Sequence, residues 1–170
     1  MKTRLLTLSL IIFTIAMFRL LPHPPNVSPV AAMALFGGAY FSDKRVAFLV
    51  PFLALLLSDL LLGLHDTMIY VYSGFALTVI IGFWIRQNLN ISRVALAAVG
   101  SSVLFFVVTN FGAWVTSSIY PMTTDGLMQA YVAAIPFFQN SLLGNLVFTA
   151  LLFGGYAALQ RNVSSLAENA

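Results

Sequence analysis

Of 170 residues, 60% are hydrophobic and only 8% are charged, against about 25% charged in an ordinary soluble domain. That composition excludes a water-soluble globular fold, and the net charge of +3 is dispersed at the ends of apolar runs, where it meets lipid headgroups rather than nucleic acid. With no cysteine in the chain, disulfides and thiolate metal sites are excluded as well.

The first segment, Leu5 to Leu20, opens on an apolar run, Leu5 to Phe18, that follows Lys2 and Arg4. A charged start and an apolar stretch match a secretory signal, and Ala31, Ala32 and Ala34 supply small residues downstream. Yet Arg19 and the prolines at 22, 24 and 25 directly follow the run, with no small-x-small site there. The first segment is therefore expected to stay. The loop Leu21 to Ser28 cannot continue a helix through its prolines. A second segment, about Pro29 to Phe41, is short for a span and rich in Ala and Gly, which fits a tilted or deeply buried helix. After the turn Ser42 to Arg45, a third segment runs Val46 to Leu64 with a kink expected at Pro51, and the chain turns at His65 and Asp66. The fourth runs Met68 to Ile85. A polar turn, Arg86 to Arg93, leads to the fifth, Val94 to Val115. The longest loop, Thr116 to about Ala134, is expected to be ordered at its turn residues and to carry a short interfacial helix over Leu127 to Ala134. A sixth segment, about Ile135 to Leu159, completes the series.

The reading is thus an all-α membrane protein: a six-transmembrane-helix bundle over residues 1–162 and a short polar cytoplasmic tail over 163–170. Seven of the eight Lys/Arg residues, Lys2, Arg4, Lys44, Arg45, Arg86, Arg93 and Arg161, fall in alternate loops or termini. By the positive-inside bias those are cytoplasmic, both termini included. Only Arg19 lies near the other face. The lipid bilayer is the first expected partner, and the expected place is a bacterial cytoplasmic membrane, crossed several times.

Polar side chains within apolar segments are costly and ask for a reason. Once the loops are oriented they collect toward the outer face: Arg19, His23, Asn26, Asp59, Asn110, Trp114, Tyr120, Gln139 and Asn140 are the candidate substrate-binding residues. Asp59 and Arg19 sit at compatible depths, either flanking a ligand or pairing to hold helices together. Asn110 and Trp114, four apart, share a helix face, so an amide and an indole can meet a flat heterocycle. The competing uses are the interfacial aromatic belt for Trp114 and an interhelical bond for Asn110. Ser141, Asn145 and Thr149 recur every four residues, a stripe suited to interhelical bonding. Small pairs such as Ala34 and Gly38 permit close helix contact. His23 and His65 are 42 positions apart, with no metal-binding motif around them. There is no GxSxG, and no P-loop for ATP hydrolysis. The chain is read as a non-enzyme with no resident cofactor or metal.

The strings Arg19-Leu20-Leu21-Pro22-His23-Pro24-Pro25-Asn26, Ala34-Leu35-Phe36-Gly37-Gly38-Ala39, Ser58-Asp59 with Gly63-Leu64-His65, Thr109-Asn110-Phe111 with Trp114, Tyr120-Pro121, and Ala134-Ile135-Pro136-Phe137-Phe138 resemble a family of small uncharacterised bacterial membrane proteins. That family is similar in size and layout to the substrate-binding S components of energy-coupling-factor importers. The resemblance implies an outward cavity that takes a vitamin-like small molecule or a metal-containing cofactor, with the external loop as a lid. It also implies a transmembrane coupling subunit with two ATPases as partner. The first segment departs from the S-component pattern, since it has Ala16 alone where an alanine-x-x-x-alanine docking surface is common; the small face of Ala34 and Gly38 is a candidate substitute. The alternative from another class is a non-transporting scaffold of an envelope complex. A membrane enzyme using Asp59 or His65 is a third.

Overall fold

The computed structural model describes residues 2–163 and residue 166, and every regular element among them is helical, with no strand. Helix α1 (Lys2–Ala16) ends in a 3-10 turn, Met17–Leu20. Then come α2 (Val30–Tyr40), α3 (Lys44–Leu62), α4 (Met68–Ile85), α5 (Ile91–Thr116) and α6 (Thr124–Thr149). A π-helical turn, Ala150–Gly154, passes directly into α7 (Gly155–Asn162). The starts follow local chemistry. Asp43 accepts from the Arg45 N–H at 2.7 Å, Asn90 from the Arg93 N–H at 2.9 Å, and Thr123 from the Gly126 N–H at 3.2 Å. Each satisfies an N–H that the first helical turn leaves open.

Five helical segments are long and apolar enough to cross a bilayer: Lys2–Leu20, Lys44–Leu62, Met68–Ile85, Ile91–Thr116 and Thr124–Asn162. Their outer faces carry Leu6, Leu10, Leu53, Leu57, Leu61, Ile80, Leu96, Val107 and Leu143, all exposed. Such a coat is stable only against hydrocarbon, so the protein is a multi-pass membrane protein. The first segment is packed into the bundle through Leu8, Ile12 and Ala16.

The second segment differs from the other five. Helix α2 has 11 residues, about 16 Å at 1.5 Å per residue, roughly half of a 30 Å hydrocarbon core. All 11 are buried, as a helix apolar on every side requires. It packs against α1, α3, α4, α5 and α6, with α4 its most extensive neighbour. Its C-terminal carbonyls are capped by arginines. Arg86 donates to the Gly38 carbonyl at 2.8 and 3.2 Å, to Ser42 at 3.2 Å and to Phe41, while Arg4 donates to Tyr40 at 3.1 Å. Two cations at a helix C-terminus satisfy orphan carbonyls and oppose the negative end of the dipole. By chain order Lys2, Arg4, Lys44, Arg45, Arg86, Arg93 and Arg161 gather at this basic end of the bundle.

The loop after the fifth segment is much shorter than the sequence reading gave. Helix α5 runs to Thr116 and α6 starts at Thr124, so the expected interfacial helix over Leu127 to Ala134 is the first part of α6. Pro136, which suits the start of a helix, instead lies inside α6. Likewise the small face of Ala34 and Gly38 is not a docking surface, because both residues are buried within the bundle. Of the expected tail, only Val163 and Leu166 are among the described residues; Leu166 is buried, and its carbonyl accepts from the Gln160 amide at 3.2 Å.

Candidate functional site

Because α2 fills only half of its column, the space beyond its N-terminus must be occupied by something else. Part of it is filled by the chain between Leu20 and Val30. Val27 N–H donates to the Pro24 carbonyl at 3.1 Å, with Pro25 and Asn26 as the inner residues of the turn. Asn26 has φ +63°, a conformation asparagine tolerates better than most residues, and proline followed by asparagine suits such a turn. The Asn140 amide donates to the Pro25 carbonyl at 3.1 Å, tying the turn to α6. Val27 packs over Gly144, where an added Cβ would lie 3.1 Å from the Val27 Cα.

The remainder is a cavity of about 360 Å³, within the range of small-molecule sites. Helix α5 contributes Ser102, Phe105, Phe106, Thr109 and Asn110, at the three- and four-residue spacing of one helix face. Helix α6 contributes Ala134, Phe137, Phe138, Ser141 and Asn145 at the same spacing. Asn26, Ser28, Val30 and Ala31 close one side, and Arg19, His65 and Val71 another. His65 reaches the site because Gly63, at φ +106°, ends α3 and turns the chain; its Nδ1 lies 2.8 Å from the Thr67 hydroxyl.

The floor is a closed polar network. Asn145 donates to the Ala98 carbonyl at 2.8 Å and to the Ser102 and Ser101 hydroxyls at 2.8 and 3.1 Å. Its own oxygen accepts from Thr149 at 3.4 Å. Of the stripe, Asn145 alone binds two helices together, as its spacing predicts; Thr149 bonds back to Asn145 and Ser141 to the Phe137 carbonyl within α6, while Asn145 and Ser141 also face the cavity.

Of the nine candidate residues, the structure brings Arg19, Asn26 and Asn110 into the cavity lining. Asp59 stands behind Arg19, not in the cavity. Its carboxylate is 2.6 Å from the guanidinium, accepts from the Tyr72 hydroxyl at 2.9 Å, and is 2% exposed. Arg19 also donates to the Ser58 hydroxyl and, at 3.4 Å, to the Leu55 carbonyl. The pair therefore holds α1 to α3 and fixes the guanidinium at the cavity wall. Asn110 donates to the Phe106 carbonyl at 2.8 Å, an i to i−4 bond within α5, which leaves its amide oxygen for a ligand.

The other five candidates lie outside the lining. His23 packs against Phe18 with ring centroids 5.6 Å apart, its Nδ1 2.6 Å from the Leu21 carbonyl. Gln139 is exposed, and Asn140 holds the Pro25 turn. Tyr120 belongs to the short loop 117–123, none of whose residues lines the cavity. Trp114 sits against Phe111 and donates to the Pro121 carbonyl at 3.0 Å, clasping that loop instead of stacking on a ligand. Trp114→Phe is expected to lower stability by about 1 kcal/mol, one neutral hydrogen bond, without changing any ligand response; thermal unfolding in detergent measures it.

The nine candidates do not include Thr109, Ser102 or the four phenylalanines of the wall, nor His65, which the sequence offers only as an outer-loop or catalytic histidine. Their signal was available in part, since Ser102, Phe105, Phe106, Thr109 and Asn110 repeat on one face. That face was masked because every flank of α5 is apolar, so no periodic contrast marks the inner side.

The chain belongs to DUF6580, a family of unknown function, whose model matches residues 1–166. No curated protein and no solved structure matches it.

Proposed function

For this member of the family we propose a solute-binding role in uptake across a bacterial cytoplasmic membrane. The carrying observation is the cavity beyond the N-terminus of the half-length helix α2, at the end of the bundle opposite the basic residues. Irregular backbone at membrane depth is tolerated where it lines a cavity, and half-helices whose ends face a solute are a recurrent transporter device. The positive-inside bias puts the basic end, with both termini, in the cytoplasm and the cavity mouth outside. Counting α2 as a half-span gives six membrane segments, the layout of an S component. On that reading the occupant is a vitamin-like molecule or a metal-containing cofactor, and a coupling subunit with ATPases supplies the energy.

Thermal-shift screening of the purified protein against vitamins, cofactor precursors and divalent metals tests this. A ligand at 100 times its Kd adds about 2.7 kcal/mol, a rise of several degrees, about 5 °C or more for a domain of this size. Asn110→Ala removes a lining amide and is expected to weaken the response about tenfold. A flat response across the whole set would contradict the reading.

A further inference from the structure

The cavity has a definite electrostatic sign. Among its lining residues are Arg19 and His65, and no carboxylate. Asp59 is sealed behind the guanidinium, and Asp66 and Asp125, the other acidic residues at this end, are not in the wall. Helix α2 adds a fixed positive end, roughly half an elementary charge. Its N-cap is Pro29, which makes no side-chain capping bond, and the first bond into the helix is Met33 N–H to the Pro29 carbonyl at 2.9 Å. The N–H groups of Val30, Ala31 and Ala32 thus precede the first intrahelical bond, and Val30 and Ala31 line the cavity.

A second observation is independent of the helix. The Ser28 hydroxyl, in a residue that also lines the cavity, is buried and has no hydrogen-bond partner among the described residues. A buried hydroxyl left unpaired is costly and rare, and this one stands beside the open end of α2. Around these polar groups the wall is aromatic: Phe105, Phe106, Phe137 and Phe138.

We infer that the cavity takes a small organic anion, a carboxylate on an aromatic or apolar body. The carboxylate accepts from the Ser28 hydroxyl, the first N–H groups of α2 and the Arg19 guanidinium, and the body lies among the phenylalanines. A cation meets the Arg19 guanidinium and the positive end of α2 here without a carboxylate to offset them, and a free metal ion finds no anionic ligand in the lining. The inference rests on the binding role proposed above and narrows it to one chemical class.

The test uses the full chain in detergent with three matched sets of probes. Benzoate, phenylacetate and 3-phenylpropionate are compared with their amides and with amines of the same skeleton, titrated by thermal shift. The acids are expected to stabilise at concentrations at least tenfold below their amides, and the amines not at all. Since Arg19 also holds α1 to α3, the discriminating variant is Ser28→Ala. It should weaken the acid response on the order of tenfold while leaving the unliganded Tm unchanged or higher, because the hydroxyl it removes has no partner. Amides or amines matching the acids, or an acid response untouched by Ser28→Ala, would overturn the anion inference while leaving a binding role intact. No response to any probe, nor to the wider screen, would overturn both.

Discussion

Arg19→Met alone is expected to destabilise the protein by about 3–5 kcal/mol, because it leaves Asp59 charged, buried and without its cation. For a chain of this size that corresponds to a Tm loss on the order of 10 °C. The double variant Arg19→Met/Asp59→Asn should recover more than half of the loss. It removes both charges together, and asparagine still accepts from Tyr72, which now donates to Asp59 at 2.9 Å. Thermal unfolding of the single and double variants in one detergent decides the matter. Losses that simply add would mean that the 2.6 Å pair is not the unit that joins α1 to α3.

That pair illustrates how far the sequence can be read. Two opposite charges at matching depth in apolar segments pointed either to a pair or to a shared ligand, and their spacing did not reveal which of the two faces the cavity. The order of burial comes from α3 turning Ser58 and Asp59 inward while the 3-10 turn at Met17–Leu20 brings Arg19 across them. Segment lengths were legible for the same reason that spans are: α4 falls at Met68–Ile85, as hydropathy places it, and α2 is short as its composition foretells. Pro136 was not legible as a mid-helix residue, since proline is equally at home in the first turn of a helix. The cavity itself could not be seen, because it arises from what α2 fails to fill, and a void has no residues of its own.

Gly38 and Gly82 bring the backbones of α2 and α4 into direct contact, and substitution there should be nearly as damaging as loss of the ion pair. A Cβ on Gly38 would lie 2.9 Å from the Gly82 Cα, and one on Gly82 would lie 2.5 Å from the Leu35 carbonyl oxygen and 2.7 Å from the Gly38 Cα. These are backbone atoms of two helices in contact along α2's longest interface, so nothing flexible can yield. Helix separation is the only relief, and it disturbs α2 along its length. Gly38→Ala and Gly82→Ala are each expected to cost about 3 kcal/mol. Gly100→Ala and Gly154→Ala are the controls, since a Cβ at either meets nothing within 4 Å. There alanine's better helix propensity should leave stability unchanged or raise it by up to about 1 kcal/mol. Equal losses at all four sites would refute the close α2–α4 contact. A displaced α2 would also reshape the cavity beyond its N-terminus, so residual folded Gly38→Ala protein should respond more weakly to any ligand the natural chain binds.

An outward solute site requires the space beyond α2 to be open to water from one side of the membrane. The chain contains no cysteine, so single cysteines report without background. Thr109→Cys and Ser141→Cys place a thiol in the cavity wall, Val107→Cys places one on the lipid-facing surface of the same helix, and Thr78→Cys places one in the closed core. With a membrane-impermeant maleimide applied to intact cells, Thr109→Cys and Ser141→Cys are predicted to label, whereas Val107→Cys and Thr78→Cys stay unmodified. Cavity thiols as inert as Thr78→Cys, or reactive only from the face that carries Lys2 and Arg86, would contradict an outward-opening site.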